Sequence, residues 1–386
     1  PLAARVVDET VGWLVRELRT PQGGFASSLD ADSLDVTGHT REGAFYAWTP
    51  AELVAALGAD DGSWAAEAYT VTAAGTFEHG ASTLQRLHDP DPDRLAPVAD
   101  RLRAVRDRRA RPGRDDKVVC AWNGWLVDSL VSASQVFGRS EWLSYAADAA
   151  DLLWTTHWDE ATGRLRRTSR DGVVGTAPGI LEDYAALALA AVRLGGALGD
   201  ATWVGRARRL LDVVDAQFAD GSGGFFDSAA DAERLWTRPQ DPTDNATPSG
   251  LSTVLMALTA YAETTGESGV AETAATAAGT VAELVGQAPR FAGWVLADAV
   301  TRVHGRAVQV AVVGPDGAAR AELVRTAYRT APAGSVVVAG RPDEPGLALL
   351  ADRPLLGGRP TAYVCRGFVC RLPVTDPTEL AAQLRG

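Results

Sequence analysis

At 386 residues and 46% hydrophobic, the chain is long enough to bury a large core and to hold more than one domain. Its formal net charge of −12, from 49 acidic and 37 basic residues, disfavours nucleic acid as a partner, because phosphate binding needs a concentrated positive surface. No apolar run reaches the roughly 18 residues of a membrane span and no charged-then-apolar leader opens the chain, so no membrane partner is expected and a cytoplasmic location is.

The first segment, 2–18, is striped with apolar residues on one side and reads as an outer, water-facing helix. It runs into PQGGFASSLDADS, where Gly23 and Gly24 supply a turn and Asp30 and Asp32 follow, on one side if the loop is extended. GAFYAWTP alternates like a strand and contains Trp48; a short helix over 50–57 begins on Pro50. The stretch 58–92 reads as irregular and carries GTFEHGASTL with Glu78, and a helix is expected over 93–109. The one dense basic run, RDRRARPGR at 106–114, falls in a connection and reads as a solvated segment.

Three nearly wholly apolar helices follow, at 118–137, 179–194 and 246–263. Each is headed by polar residues: Asp115, Asp116 and Lys117; Glu182 and Asp183; Asp244 and Asn245. A helix apolar all round needs neighbours on every side, whereas the striped helices at 140–154 and 201–218 can face water. Buried inner helices alternating with outer ones predict a double ring of helical hairpins, with the inner N-termini and their polar clusters gathered at one mouth. The loops at 160–172 and 220–236 echo the first one as short hairpins, which is the mark of a repeat. A fainter pair, 269–284 and 290–302, continues the series. Only about four hairpins are visible where closed rings of this type have six, so two are expected to be missing from the front. The lack of an initiator Met, with Pro1 leading straight into a helix, points the same way, to a processed or fragmentary chain.

From Arg306 the texture changes to VQVAVVG, a helix near 318–328, SVVVAG, TAYVC and a helix near 377–384. This predicts a small α/β appendage over 306–386, of parallel-type strands with a crossover helix, beside a helical region over 1–305. Cysteine is sparse: Cys120, Cys365 and Cys370. With the YVCRGFVC turn at Arg366 and Gly367, Cys365 would face Phe368, which disfavours a bridge. The histidines His39, His79, His88, His157 and His304 are scattered, with no metal-ligand spacing, so neither metal nor cofactor is expected.

Taken together and in order, FASSLDADS, GAFYAWTPAEL, GTFEHGASTL, RDDKVVCAWNG, LEDYAAL, ATPSGLS and AYVCRGFVCRLPVTDPTEL resemble the spermatogenesis-associated protein family that carries a thioredoxin-like N-terminal domain. The resemblance implies an (α/α)6 barrel akin to N-acylglucosamine 2-epimerases and six-hairpin glycosidases, here incomplete. The thioredoxin-like domain, the first barrel hairpins and the His-Phe-Glu-Lys motif that the family carries there are absent from this chain, and would be partners supplied from outside it.

Carboxylates converging on a concave mouth could provide a general acid and base for work on a sugar, about 5–5.5 Å apart for retention or about 6.5–9.5 Å for inversion. Asp116 and Asp183 are the catalytic candidates. Asp30, Asp32, Glu78, Glu182 and Asp244 stand beside them, although an acid at a helix start is equally a cap. Asn123 and Asn245 could bind sugar hydroxyls or cap backbone, and Tyr184 could line the pocket or the core. Trp48, Trp122 and Trp236 could stack on sugar faces or fill space. The functional expectation is a carbohydrate-binding or carbohydrate-active barrel, a glycosidase or sugar epimerase by acid–base chemistry on a sugar or sugar conjugate. No histidine begins an inner helix, which weakens epimerisation. The alternative is a noncatalytic binding scaffold for the thioredoxin-like domain.

Overall fold

The computed structural model describes residues 2–303 and 308–385; His304 and the domain boundary expected at 305 lie outside them. By compactness the chain divides into Ser27–Asp115 and a larger unit of Pro1–Ala26 with Asp116–Gly386. It opens with outer helix α1 (Leu2–Trp13), which closes in a π turn over Leu14–Leu18.

The smaller unit contains β1 (Ser28–Leu29), β2 (Asp32–Leu34), β3 (Thr40–Glu42), α2 (Pro50–Leu57), α3 (Ala59–Ala68), α4 (Pro92–Arg106) and β4 (Arg114–Asp115). Its two ends pair with each other, Ser28 opposite Asp115. Trp48, Leu53, Leu57, Ala65, Val71, Val98 and Leu102 form its own core. Helix α2 starts as its sequence dictates, with Pro50 in the first turn and a reciprocal Thr49–Glu52 capping box.

Two local expectations fail here, and one condition is not met. Helix α3 lies in the stretch expected to be irregular, because the apparent breakers serve packing. A Cβ on Gly62 would sit 2.5 Å from the Val54 Cα of α2, and Asp60 and Asp61 bind Arg94 of α4. The GAFYAWTP segment is a turn rather than a strand, with only Trp48 bridged, to Ser82. Its carbonyls need no strand partner, since Arg109 donates to those of Ala44, Phe45 and Ala47. Finally, Asp30 accepts the Asp32 N–H at 3.1 Å, so the loop bends and is not extended.

The larger unit continues through β5 (Val118–Val119), α5 (Cys120–Phe137), α6 (Ser140–Leu152) with a π turn over Leu153–His157, β6 (Trp158–Asp159), β7 (Arg164–Leu165), β8 (Thr168–Arg170) and β9 (Val173–Val174). Next come α7 (Leu181–Leu198), α8 (Ala201–Phe218), α9 (Gly250–Thr265), α10 (Ser268–Gly279), α11 (Ala282–Gln287) and α12 (Gly293–Val303). The apolar helices α5, α7, α9 and α12 pack side by side as the inner row, and α6, α8 and α10 back them as the outer row. Helix α7 is buried on all sides, apart from the half-buried Glu182, Arg193 and the last residues. Its crossing with α5 is close because Gly124 has no Cβ; one there would meet the Ala186 carbonyl carbon at 2.7 Å. Helices α5, α7 and α9 all end on a left-handed glycine, Gly138, Gly199 and Gly266. This is the arc of helical hairpins that an incomplete (α/α)6 barrel requires.

The repeat extends to individual hydrogen bonds. After α1, Thr20 N–H donates to Gly24 and Ala26 N–H to Leu18; after α8, Asp220 N–H donates to Gly224 and Phe226 N–H to Phe218. The smaller unit is thus inserted in the first of these outer-to-inner connections, between Ala26 and Asp116.

The C-terminal segment forms β10 (Gln309–Val313), α13 (Ala318–Thr330), β11 (Val336–Gly340), β12 (Thr361–Arg366), β13 (Val369–Cys370) and α14 (Pro377–Arg385), in sheet order β11-β10-β12-β13. As expected, α13 crosses between parallel β10 and β11. Strand β12 instead joins antiparallel, since 341–360 holds only a short turn of 3-10 helix and a parallel return needs a long crossover. The reading of the cysteines is also corrected. The turn falls on Gly367 and Phe368, both at positive φ, one residue later than expected. Gln309 holds this register by accepting the Phe368 N–H at 2.8 Å. Cys365 therefore faces Cys370, and the two form a disulfide.

Candidate functional site

The N-termini of the inner helices are joined in series, one aspartate at each junction. Asp183, in the first turn of α7, accepts the Ala121 N–H of α5 at 2.9 Å; its other oxygen takes the Ile180 N–H and Arg167. Asp227, in the α8–α9 connection, accepts the first N–H of α7, from Leu181, on its backbone carbonyl, and its carboxylate lies beside Gly250 at the start of α9. Asp244 accepts from Ser249 and Ser252 of α9 on one oxygen and from Trp294 of α12 on the other. The inner helices therefore run in one direction with their starts at one mouth. The free N–H groups and positive ends of four helices explain why acids sit there.

Burial and charge oppose each other at Asp183. Desolvation pushes its pKa up to about 6, against the Arg167 charge and two backbone donors that favour the ionised form. Glu182, next to it, is held by the same arginine at 2.7 Å. Burial raises the Asp227 carboxyl as well, and the nearby charges of Asp241 and Glu182 add to the rise. Asp227 is not among the acids singled out from sequence. A signal for it exists there, since it is the acid in GGFFDS, the loop that echoes GGFASS.

Of the two catalytic candidates, Asp183 is fully buried and Asp116 half-buried. Asp116 does not start an inner helix: Val118 and Val119 first pair as a strand with Ser169 and Thr168, and α5 begins at Cys120. Asn123 and Tyr184 occupy the same place, the fourth residue of α5 and of α7, and do the same job. Asn123 exchanges hydrogen bonds with the Phe25 backbone, and the Tyr184 hydroxyl accepts the Leu165 N–H. Both are 3% exposed or less and pin the preceding loop to the inner helix. Asn245 is exposed at the mouth, beside Asp244.

Asp30, Asp32, Trp48 and Glu78 belong to the smaller unit. Trp48 is core there, 2% exposed beneath the Arg109 guanidinium, and offers no face to a ligand. Glu78 and His79 line a cleft of about 560 Å³ in that unit with Arg41, Glu52 and Arg108. Trp122, in the first turn of α5, is 44% exposed, and Trp294, in the first turn of α12, is 45% exposed. Trp236 stands fully exposed in the loop between α8 and α9. The accessible polar and aromatic groups of the mouth thus include tryptophans, Asn245 and the Arg167–Glu182 pair, with Asp227 half-buried there, while Asp183 and Asp244 are consumed by architecture. Cys120 is buried, and desolvation pushes its thiol pKa well up, leaving it unreactive. Among the described residues no group of three or more His, Cys, Asp or Glu is placed to hold a metal ion, and no helix is long and apolar enough to cross a membrane.

No family model matches the chain. Among solved structures it is similar to a cellobiose 2-epimerase from Spirochaeta thermophila, with TM-score 0.41 and 16% identity over 50% of this chain and 56% of that one. It is also similar to a GH76 α-mannanase from Bacteroides thetaiotaomicron, with TM-score 0.39 and 12% identity over 69% of each. Neither reaches a TM-score of 0.5, and neither bears on function. Two curated relatives carry the name spermatogenesis-associated protein 20. The human protein is 28% identical over 95% of this chain and 53% of its own length. The mouse protein is 25% identical over 98% and 54%. Spanning about half the length of these relatives, the chain is a homologue of the spermatogenesis-associated protein 20 family.

Proposed function

We propose that the hairpin arc is a carbohydrate-binding platform whose acids build the mouth and whose exposed tryptophans receive the ligand. The observation that carries this is the contrast at the start of α5. Asp183 is fully buried with both oxygens taken, while Trp122, one residue beyond its partner Ala121, is 44% exposed. Hydrolysis needs two carboxyl groups that reach the glycosidic bond. Stacking on a sugar's C–H face needs only an open aromatic ring.

A second reading, sugar turnover with Asp183 as the acid and Asp116 as its partner, draws on the Asp183 pKa of about 6. One experiment separates the two. The 386-residue protein is screened against an oligosaccharide library for binding by calorimetry and for products by chromatography. The platform reading expects binding without products, weakened about 5-fold or more in Trp122→Ala at unchanged melting temperature. Products that disappear in Asp116→Asn and Asp183→Asn would establish the catalytic reading instead.

A further inference from the structure

The Cys365–Cys370 disulfide is short in span: with a sequence separation of 5, it joins residues already opposite each other on β12 and β13. A bond that closes so few residues removes little freedom from the unfolded chain, far less than one closing a long loop. Nor is it needed to hold the hairpin together. Gln309 of β10, 1% exposed, accepts the Phe368 N–H and donates to the backbone carbonyl and the carboxylate of Glu263 on α9, at 3.0 and 2.8 Å. The Phe368 ring lies against Gly266 at the end of the same helix, where a Cβ would come within 3.0 Å of it. Backbone bonds from Arg371 to Val364, and between Ala362 and Val374, carry the pairing past the cysteines. The hairpin therefore keeps the two sulfurs opposite each other whether they are bonded or reduced.

Exposure distinguishes the two. Cys365 is 1% exposed, whereas Cys370 is half-buried on the edge strand, which pairs only with β12. Val369 and Leu372, 75% and 83% exposed, stand on either side of Cys370 in the chain. The remaining cysteine, Cys120, is buried in α5 and cannot intercept an exchange at the sheet.

We infer that this pair is a thiol–disulfide exchange site, opened at Cys370 by a protein dithiol whose reactive cysteine is set in an apolar surface. An incoming thiolate attacks Cys370 Sγ; the bond between the two sulfurs breaks, and Cys365 leaves as a thiolate and takes up a proton. The second thiol of the reductant, once deprotonated, attacks the reductant's own sulfur in the mixed disulfide, and Cys370 leaves as a thiolate and is protonated in turn. Two electrons and two protons pass to the chain while the dithiol becomes a disulfide, and the reverse sequence restores the bond. Access selects Cys370 as the sulfur attacked. The occupant of the apolar flank must carry a dithiol, because a disulfide lies at its centre and the open strand edge beside it suits a docking chain.

The test reduces the native 386-residue protein with dithiothreitol, and with thioredoxin as the protein dithiol, and counts alkylated cysteines by mass spectrometry. Cys365 and Cys370 should both become alkylated without denaturant, re-form their bond in oxidised glutathione, and leave the melting temperature within about 3 °C. In Cys365→Ser, Cys370 should form a mixed disulfide with oxidised glutathione about 10-fold or more faster than Cys365 does in Cys370→Ser. Leu372→Ser should slow thioredoxin about 5-fold or more and leave dithiothreitol unaffected. A bond reduced only in denaturant, a pair that stays reduced in oxidised glutathione, a cooperative melt lost on reduction, or equal capture of the two cysteines overturns the exchange site. Thioredoxin acting equally fast on wild type and Leu372→Ser overturns the protein partner.

Discussion

Three donors converge on the Asp183 carboxylate, and an amide cannot accept all of them. In Asp183→Asn the Nδ2 group would face an N–H or a guanidinium in a buried site, so a loss of about 2–4 kcal/mol in urea denaturation is expected. An unchanged midpoint would show that the junction carries no weight. Its pH behaviour follows from the raised pKa. The folded value of about 6 exceeds the ordinary 3.8, so its stabilising contribution is present below pH 3.8 and lost as pH rises through 6.

His157 works in the opposite sense. Fully buried, it faces the Arg166 carbonyl through Nδ1 and the Ser169 hydroxyl through Nε2, and desolvation lowers its pKa from 6.5 to about 4. Its contribution is present above pH 6.5 and lost as pH falls towards 4, by up to about 3 kcal/mol. Denaturation of the wild-type chain and of His157→Gln, at about pH 7.5 and about pH 4.5, should show a steeper acid loss in wild type. Equal slopes would refute this. At this scale the sequence revealed that acids sit at helix starts, because position alone implies capping. What it concealed is that Asp183 and Asp244 each reach across to a neighbouring helix, which depends on packing between segments distant in the chain.

Among the elements, the α5–α7 crossing is set by one missing methyl group. Gly124→Ala would place a Cβ 2.7 Å from the Ala186 carbonyl carbon, and main chain cannot yield as a flexible side chain would. A loss of about 1–3 kcal/mol is expected. Gly205, exposed in α8 with nothing within 4 Å of where a methyl group would stand, supplies the contrast: Gly205→Ala should stabilise by about 0.5–1 kcal/mol through helix propensity. Opposite signs in thermal denaturation support the crossing, and equal signs reject it. The inner helices were legible in sequence because residues apolar all round leave no other fold. Helix α3, the direction of β12 and the pairing of Cys365 with Cys370 were not, since Gly62 against Val54, the shortness of 341–360 and Gln309 at the Phe368 turn are tertiary facts.

For the molecule as a whole, residues 27–115 form a unit whose ends hydrogen-bond to one another and whose core is its own. Paired strands lie about 5 Å apart, so the insertion begins and ends at nearly one point. The excised segment is therefore expected to unfold cooperatively in urea by circular dichroism. Joining Ala26 to Asp116 through a short Gly/Ser linker should preserve the helical signal of the remainder. A segment that melts without a transition would show that its core does not suffice. This organisation stayed hidden in sequence because the insertion interrupts the first outer-to-inner connection, whereas the later ones, over 158–180 and 219–249, carry no such unit.

The aspartates at the mouth act as separate stitches along a hem. Asp183, Asp227 and Asp244 each close a different seam, and the donors gathered by Asp183 differ from those gathered by Asp244. The Asp227 seam borders both of the others, through Leu181 on one side and Gly250 on the other, so damage passes between neighbouring seams and not across the whole rim at once. The rim can then drift in sequence one junction at a time, altering the shape of its opening locally while the rest of the fabric keeps its cut.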